Sequence, residues 1–164
     1  MLNHILQGKV IKGEAVGRTI GFPTANLRLV NPPKIKPGVY VALITLARLK
    51  YLGLAYFGPR YIFGEKPDSF EVYIFNFNRQ IYGEKLTVKL LRFLRKPLPV
   101  ANLKKLKQLL EQDMVKLDQW VILVDKQDKI LGIEEKSKAH QGRAKLHRAI
   151  SVQLFNQKGE LLIQ

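Results

Sequence analysis

The chain contains no cysteine. That excludes disulfides, thiolate metal ligands and thiol chemistry, and it fits a reducing compartment. No apolar run is long enough to cross a membrane. The first residues, Met1-Leu2-Asn3-His4-Ile5-Leu6, lack the basic-then-apolar order of a secretion signal. Acidic residues are scarce: 28 Lys and Arg face 13 Asp and Glu, for a net charge of +15. The excess sits mainly in residues 1–117, which hold 20 of the basic residues and 7 of the acidic ones. Such a body suits a polyanionic partner, nucleotide or nucleic acid. The basic residues are scattered, however, with no run of five, so most read as solvated surface and no specific nucleic acid is expected. The chain reads as soluble, cytoplasmic and monomeric, with no membrane partner.

The familiar phosphate motifs are absent too. A Walker A loop needs Gly, four residues, then Gly-Lys-Ser/Thr. Here Gly13 to Gly17 is one residue short, and Arg18-Thr19 stands where Lys-Ser/Thr belongs; Gly8 to Gly13 is followed by Glu14. No Gly-x-Gly-x-x-Gly occurs. What is present is Gly13-Glu14-Ala15-Val16-Gly17-Arg18-Thr19-Ile20-Gly21-Phe22-Pro23-Thr24-Ala25-Asn26, with three glycines four apart and a closing Pro-Thr-Ala-Asn. Glycine lets backbone N–H groups approach a ligand closely, as a loop over phosphates requires. Beyond Pro23 the chain runs extended, so Thr24 and Asn26 share a face. A hydroxyl and an amide oxygen are hard ligands of the kind Mg²⁺ takes alongside waters and phosphates. On spacing alone the segment is equally a glycine-bearing hairpin with no ligand.

Residues 5–97 read as β. Tyr40–Leu46 and Tyr51–Phe57 are apolar and of strand length, and Lys85–Leu90 alternates polar with apolar. Six candidate strands with Pro and Gly turns between them predict a closed or nearly closed antiparallel barrel. Pro97 and Pro99 end the sheet. Asn102 is an N-cap, and Leu103, Leu106, Leu110, Met114 and Leu117 follow at helical spacing, an amphipathic helix that docks on the barrel.

Gly8-x-Val10-x-x-Gly13-x-x-x-Gly17-Arg18-x-x-Gly21-Phe22-Pro23-Thr24-Ala25-Asn26 resembles the signature of the riboflavin kinase family, and the match continues in order. Gly38-Val39-Tyr40 is similar to its next strand, Phe70-Glu71-Val72-Tyr73-Ile74-Phe75-Asn76-Phe77 to its catalytic strand, and Ile81-Tyr82-Gly83-Glu84 and Phe93-Leu94-Arg95 follow. The resemblance covers roughly residues 3–117. It implies a mainly β fold, a six-stranded antiparallel Greek-key barrel with a packed C-terminal helix, over a domain of residues 1–119. It implies transfer of the ATP γ-phosphate to the ribityl 5′-hydroxyl of riboflavin, giving FMN, with Mg²⁺ as cofactor. Thr24 and Asn26 would hold the metal. Gly13, Gly17, Arg18, Gly21, Thr24, Asn76 and Tyr82 would serve ATP, and Arg95 the flavin. Glu71 is the candidate base. It is the one acid in the apolar strand 70–77, where a charge is costly without a task or a partner. The family usually shows Asn near Tyr56 and Pro-Thr near Tyr61-Ile62, and many bacterial members have Asp where Asn76 and Asn78 stand; these departures bear on ligand affinity. Many bacterial relatives carry an adenylyltransferase domain ahead of the kinase, for which this chain has no room, so FMN is the expected end product.

From Trp120 the character changes. Val121–Val124 reads as a strand, Asp125–Lys129 as a turn, and Ile150–Phe155 and Glu160–Ile163 as further strands. Lys136-Ser137-Lys138-Ala139-His140 and Leu146-His147-Arg148-Ala149 resemble the start of a Nudix domain, particularly the isopentenyl diphosphate isomerase branch, in which histidines at these positions help bind a metal. The chain ends before any glutamate-rich Nudix box, so residues 120–164 are expected to be a short, incomplete α/β fragment without activity. Two other functions compete with a kinase. A nucleic-acid-binding barrel would interleave aromatics with cations on one sheet face, but Tyr73, Phe75 and Phe77 would share theirs with Glu71. The other is a Nudix-type diphosphate enzyme or the remnant of a Nudix/isomerase fusion; the missing box counts against the enzyme.

Overall fold

A computed structural model describes residues 4–31, 33–61 and 66–149. The chain divides into two compact units, Met1–Asp118 and Gln119–Gln164.

In the first unit the strands are β1 (Ile5–Ile11), β2 (Ala25–Leu29), β3 (Gly38–Leu46), β4 (Leu49–Arg60), β5 (Lys66–Ile74) and β6 (Lys85–Arg95), with a single helical turn α1 (Val16–Thr19) and a long helix α2 (Leu103–Asp118). Every pairing is antiparallel, and the spatial order β1-β2-β5-β4-β3-β6 closes on itself through β1 and β6. Strands β3 to β6 lie in the order β6-β3-β4-β5, which is a Greek key. Closure pairs each of these strands on both sides, β2 with β5 through Ala25–Val72 and Asn26–Glu71.

Alternation sorts the side chains. On β5, Phe70, Val72 and Ile74 point into the barrel with Leu27, Ala55 and Val88, forming the buried cluster. Each large apolar side chain so buried contributes about 1.5–3 kcal/mol. The intervening Ser69, Glu71 and Tyr73 therefore point outward. Val39, Val41 and Leu54 are also buried, though they lie outside that interior cluster. Strand β5 stops at Ile74, short of the expected Phe77. Asn76 adopts φ 51°, a left-handed conformation that Asn tolerates and a ladder does not.

Helix α2 begins at its expected cap: the Lys105 N–H donates to Asn102 Oδ1 at 2.9 Å. Its buried side chains are Leu117 and, unforeseen, Asp113. Among the described residues no helix is long and apolar enough to cross a membrane.

The second unit holds a hairpin, β7 (Trp120–Val124) with β8 (Ile130–Glu135), and a helical turn α3 (Lys136–Ala139). Asp125 caps the connecting turn, its Oδ1 accepting from the N–H groups of Gln127 and Lys129. Strand β8 was not foreseen. The strands expected at Ile150–Phe155 and Glu160–Ile163 lie outside the described residues, as does Ile62.

Candidate active site

The register of the barrel draws one row of side chains across five strands. Asn26 on β2 pairs with Glu71 on β5, Glu71 with Tyr56 on β4, Tyr56 with Val39 on β3, and Val39 with Arg95 on β6. Lateral neighbours share a face, and all five line one cavity of about 170 Å³ on the outside of the barrel. The loop residues Glu14 to Gly17 and the α2 side chains Leu106, Leu110 and Met114 form its other walls. Thr24, Tyr73 and Leu54 line it as well.

Glu71 is the centre of the polar network. The Thr24 hydroxyl donates to its Oε2 at 2.9 Å, the Ser69 hydroxyl donates to Oε1 at 3.2 Å, and Arg60 Nε lies 3.2 Å from Oε1. Arg60 Nη2 also donates to Oδ1 of Asn26, whose side chain is buried. Burial, with Tyr61 and Glu71 adding repulsion, pushes the Tyr56 hydroxyl up to about 12. Burial raises that of Tyr73 as well. Both stay protonated donors at neutral pH.

Arg95 reaches the same cavity from β6 but is held from behind. Its Nε donates to both Asp113 carboxylate oxygens at 2.9 and 3.0 Å, and Nη2 donates to Oδ2 at 2.6 Å. Nη1 donates to the Lys96 carbonyl. The pair ties α2 to β6 with planar two-point geometry, the strongest form of ion pairing.

A second cavity, of about 510 Å³, is lined by Arg18, Pro23, Thr24, Phe77, Asn78, Arg79 and Tyr82. Thr24 thus lines both cavities. Arg18, Thr24 and Tyr82 of the expected nucleotide set are brought together here. Arg79 stacks its guanidinium over Phe77, 5.7 Å from the ring centre, and adds a second cation that the sequence reading missed.

The glycine loop departs from expectation. It is no open cradle of N–H donors: Arg18 N–H donates to Ala15 O, Ile20 and Phe22 N–H to Gly17 O, and Gly21 N–H to Arg18 O. Four of its donors are spent inside a tight turn. The glycines serve close approach instead. A Cβ on Gly13 would fall 2.2 Å from Asn26 Nδ2, and one on Gly17 would fall 2.2 Å from Phe22 O. Gly13 therefore backs the amide of Asn26, and Gly17 closes the turn that presents Thr24. Gly21, at φ +86°, and the exposed Asn76 line neither cavity. The structure does not bring these two to the site.

The donor set suits Mg²⁺. Thr24 gives its proton to Glu71, which leaves the hydroxyl lone pairs for a metal, and Asn26 lines the same cavity. A positive charge already sits against Asn26 and Glu71, that of Arg60. Among the described residues no three His, Cys, Asp or Glu side chains gather as a metal site. In the second unit the rings of His140 and His147 meet edge to face at 4.7 Å, each Nδ1 engaged by a backbone carbonyl.

The sequence profile described as Flavokinase, riboflavin kinase, matches residues 1–121. The chain belongs to the riboflavin kinase family. A bifunctional riboflavin kinase/FMN adenylyltransferase of Listeria monocytogenes is 41% identical over 113 residues, covering 67% of this chain and 36% of that protein. An RNA-binding riboflavin kinase of Bacillus subtilis is 32% identical over 111 residues, covering 67% and 48%. Among solved structures, a macrolide-efflux protein from Streptococcus pneumoniae aligns with a TM-score of 0.64 at 36% identity, covering 72% of this chain and 39% of that one. The chain thus spans half or less of these relatives.

Proposed function

We propose that the first unit phosphorylates riboflavin, joining the γ-phosphorus of ATP to the ribityl 5′-oxygen and releasing FMN and ADP. The observation that carries this reading is the row Asn26–Glu71–Tyr56–Val39–Arg95, with Thr24 shared between the cavity it lines and the cation-lined cavity beside it. Phosphoryl transfer needs an acceptor, a base and a charge-stabilised phosphate in line, and little else. The apolar α2 wall and Arg95 suit a flavin ring. Glu71 accepts the proton of the attacking hydroxyl. Arg18 and Arg79 offer the second cavity to phosphate oxygens, with Tyr82 beside them. Mg²⁺, held by Thr24 and Asn26, would neutralise charge developing on the phosphates. Purified protein given riboflavin, ATP and a divalent metal should form FMN and ADP, separable by chromatography. Well-folded protein that yields none would end this reading.

Each element of the row and both cavities belong to Met1–Asp118. A chain cut after Gln119 should therefore keep FMN formation within a few-fold. For residues 120–164 we propose a Nudix-like segment. What favours it is the adjacency of His140 and His147, the two histidines on which that resemblance rests.

A further inference from the structure

Among the described residues Arg60 is the cation between the proposed base and a proposed metal ligand, and no sequence motif pointed to it. It is the last residue of β4, just beyond a register shift in the β4–β5 ladder between Gly58 and Arg60. The Tyr56 hydroxyl donates to the carbonyl of Pro59 at 2.5 Å and so clamps the residue before it. The Arg60 side chain that this turn delivers is three-quarters buried, and its Nε is buried with Glu71 Oε1 alongside at 3.2 Å. Among the described residues its partners are Asn26 and Glu71.

We propose that Arg60 is a resident counter-cation that holds the Asn26–Glu71 acceptor pair until a divalent metal takes it, and so weakens the site for metal alone. This rests on the kinase reading in taking Thr24 and Asn26 as the metal ligands. Asn26 Oδ1 already accepts from Arg60 Nη2. A divalent ion on that oxygen would sit within a few ångström of the guanidinium, where repulsion at a largely buried site shifts a binding constant by an order of magnitude or more. Metal arriving with nucleotide brings negative phosphates that offset this repulsion, whereas bare metal does not. The group that satisfies the acceptors in the empty protein thus favours the metal-nucleotide over the free ion. Glu14, Tyr56, Tyr61, Glu71, Tyr73, Arg95 and Asp113 are the other charged or titratable groups lining the cavity with Arg60.

The test is binding of Mn²⁺ alone to the full chain, read from loss of the free-ion paramagnetic resonance signal. Arg60→Gln, which keeps a donor for Asn26 without the charge, should bind Mn²⁺ about tenfold more tightly than the parent protein. Arg60→Met should move the same way, and Arg60→Lys should remain as weak as the parent. Adding Asn26→Ala to Arg60→Gln should abolish the gain. The proposal is overturned if Arg60→Gln binds Mn²⁺ no better than the parent, or if Arg60→Lys binds as tightly as Arg60→Gln. Because the readout needs no turnover, FMN formation in parallel separates the two ideas. Tightened Mn²⁺ binding without FMN leaves Arg60 as the counter-cation and removes the kinase. FMN with unmoved Mn²⁺ affinity does the reverse.

Discussion

Glu71→Gln should lower kcat for FMN formation by about 10²–10⁴-fold, the range that a positioned general base contributes. Riboflavin and Mg-ATP should still bind. The network around the carboxylate sets the side effects. Oε1 accepts from Ser69 and lies against Arg60, while Oε2 accepts from Thr24. An amide has one acceptor oxygen, and Arg60 and Ser69 together will claim it. The new NH₂ then faces Thr24, whose hydroxyl must accept rather than donate. That spends a Thr24 lone pair, so the KM for Mg-ATP should rise by a few-fold beside the loss in kcat. Thr24→Ala should show the opposite balance, with weakened metal-nucleotide binding that high Mg²⁺ partly restores. Rates measured alongside riboflavin fluorescence titrations separate the cases. A Glu71→Gln enzyme with full rate but no riboflavin binding would make Glu71 a binding residue, and the base would have to be found elsewhere.

Glu71 was legible in the sequence because an acid in an apolar strand is conspicuous. The barrel was legible for a related reason: six short apolar or alternating runs broken by Pro and Gly leave few other folds. Asp113 obeyed the same logic and was passed over. It falls on the buried stripe of α2, seven residues after Leu106 and four before Leu117, where a lone acid signals a buried partner. Arg60 and Tyr56 gave no such signal. Their meaning depends on strand register, which pairs Tyr56 with Glu71 and shifts before Arg60, and register is set by the closed barrel as a whole. The glycine loop misled in an instructive way. Its spacing suggested backbone donors for phosphate, whereas in the fold Gly13 and Gly17 stand where Asn26 and Phe22 lie too close for a Cβ. Asn76 fell on a strand in the sequence reading and in a left-handed turn in the structure.

Removing the carboxylate of Asp113 should strongly destabilise the first unit. Asp113 is fully buried, and the Arg95 side chain it holds is 15% exposed. Stripping one partner from a buried pair leaves the other charge uncompensated, which costs about 3–5 kcal/mol. Asp113→Ala should accordingly lower the Tm by about 10 °C or more. Replacing both partners with apolar residues of similar size removes the stranded charge, and such exchanges are often neutral or stabilising. The Arg95→Met, Asp113→Leu double variant should therefore regain most of the lost stability. It should not regain riboflavin binding, because Arg95 is the cation that the cavity offers at the β6 end of the row. Thermal denaturation and riboflavin fluorescence titration on the same three proteins test both halves. An Asp113→Ala protein as stable as its parent would show that the ion pair does not anchor α2. A double variant that is stable and binds riboflavin normally would show that Arg95 is a strut for the helix and takes no part in holding the flavin.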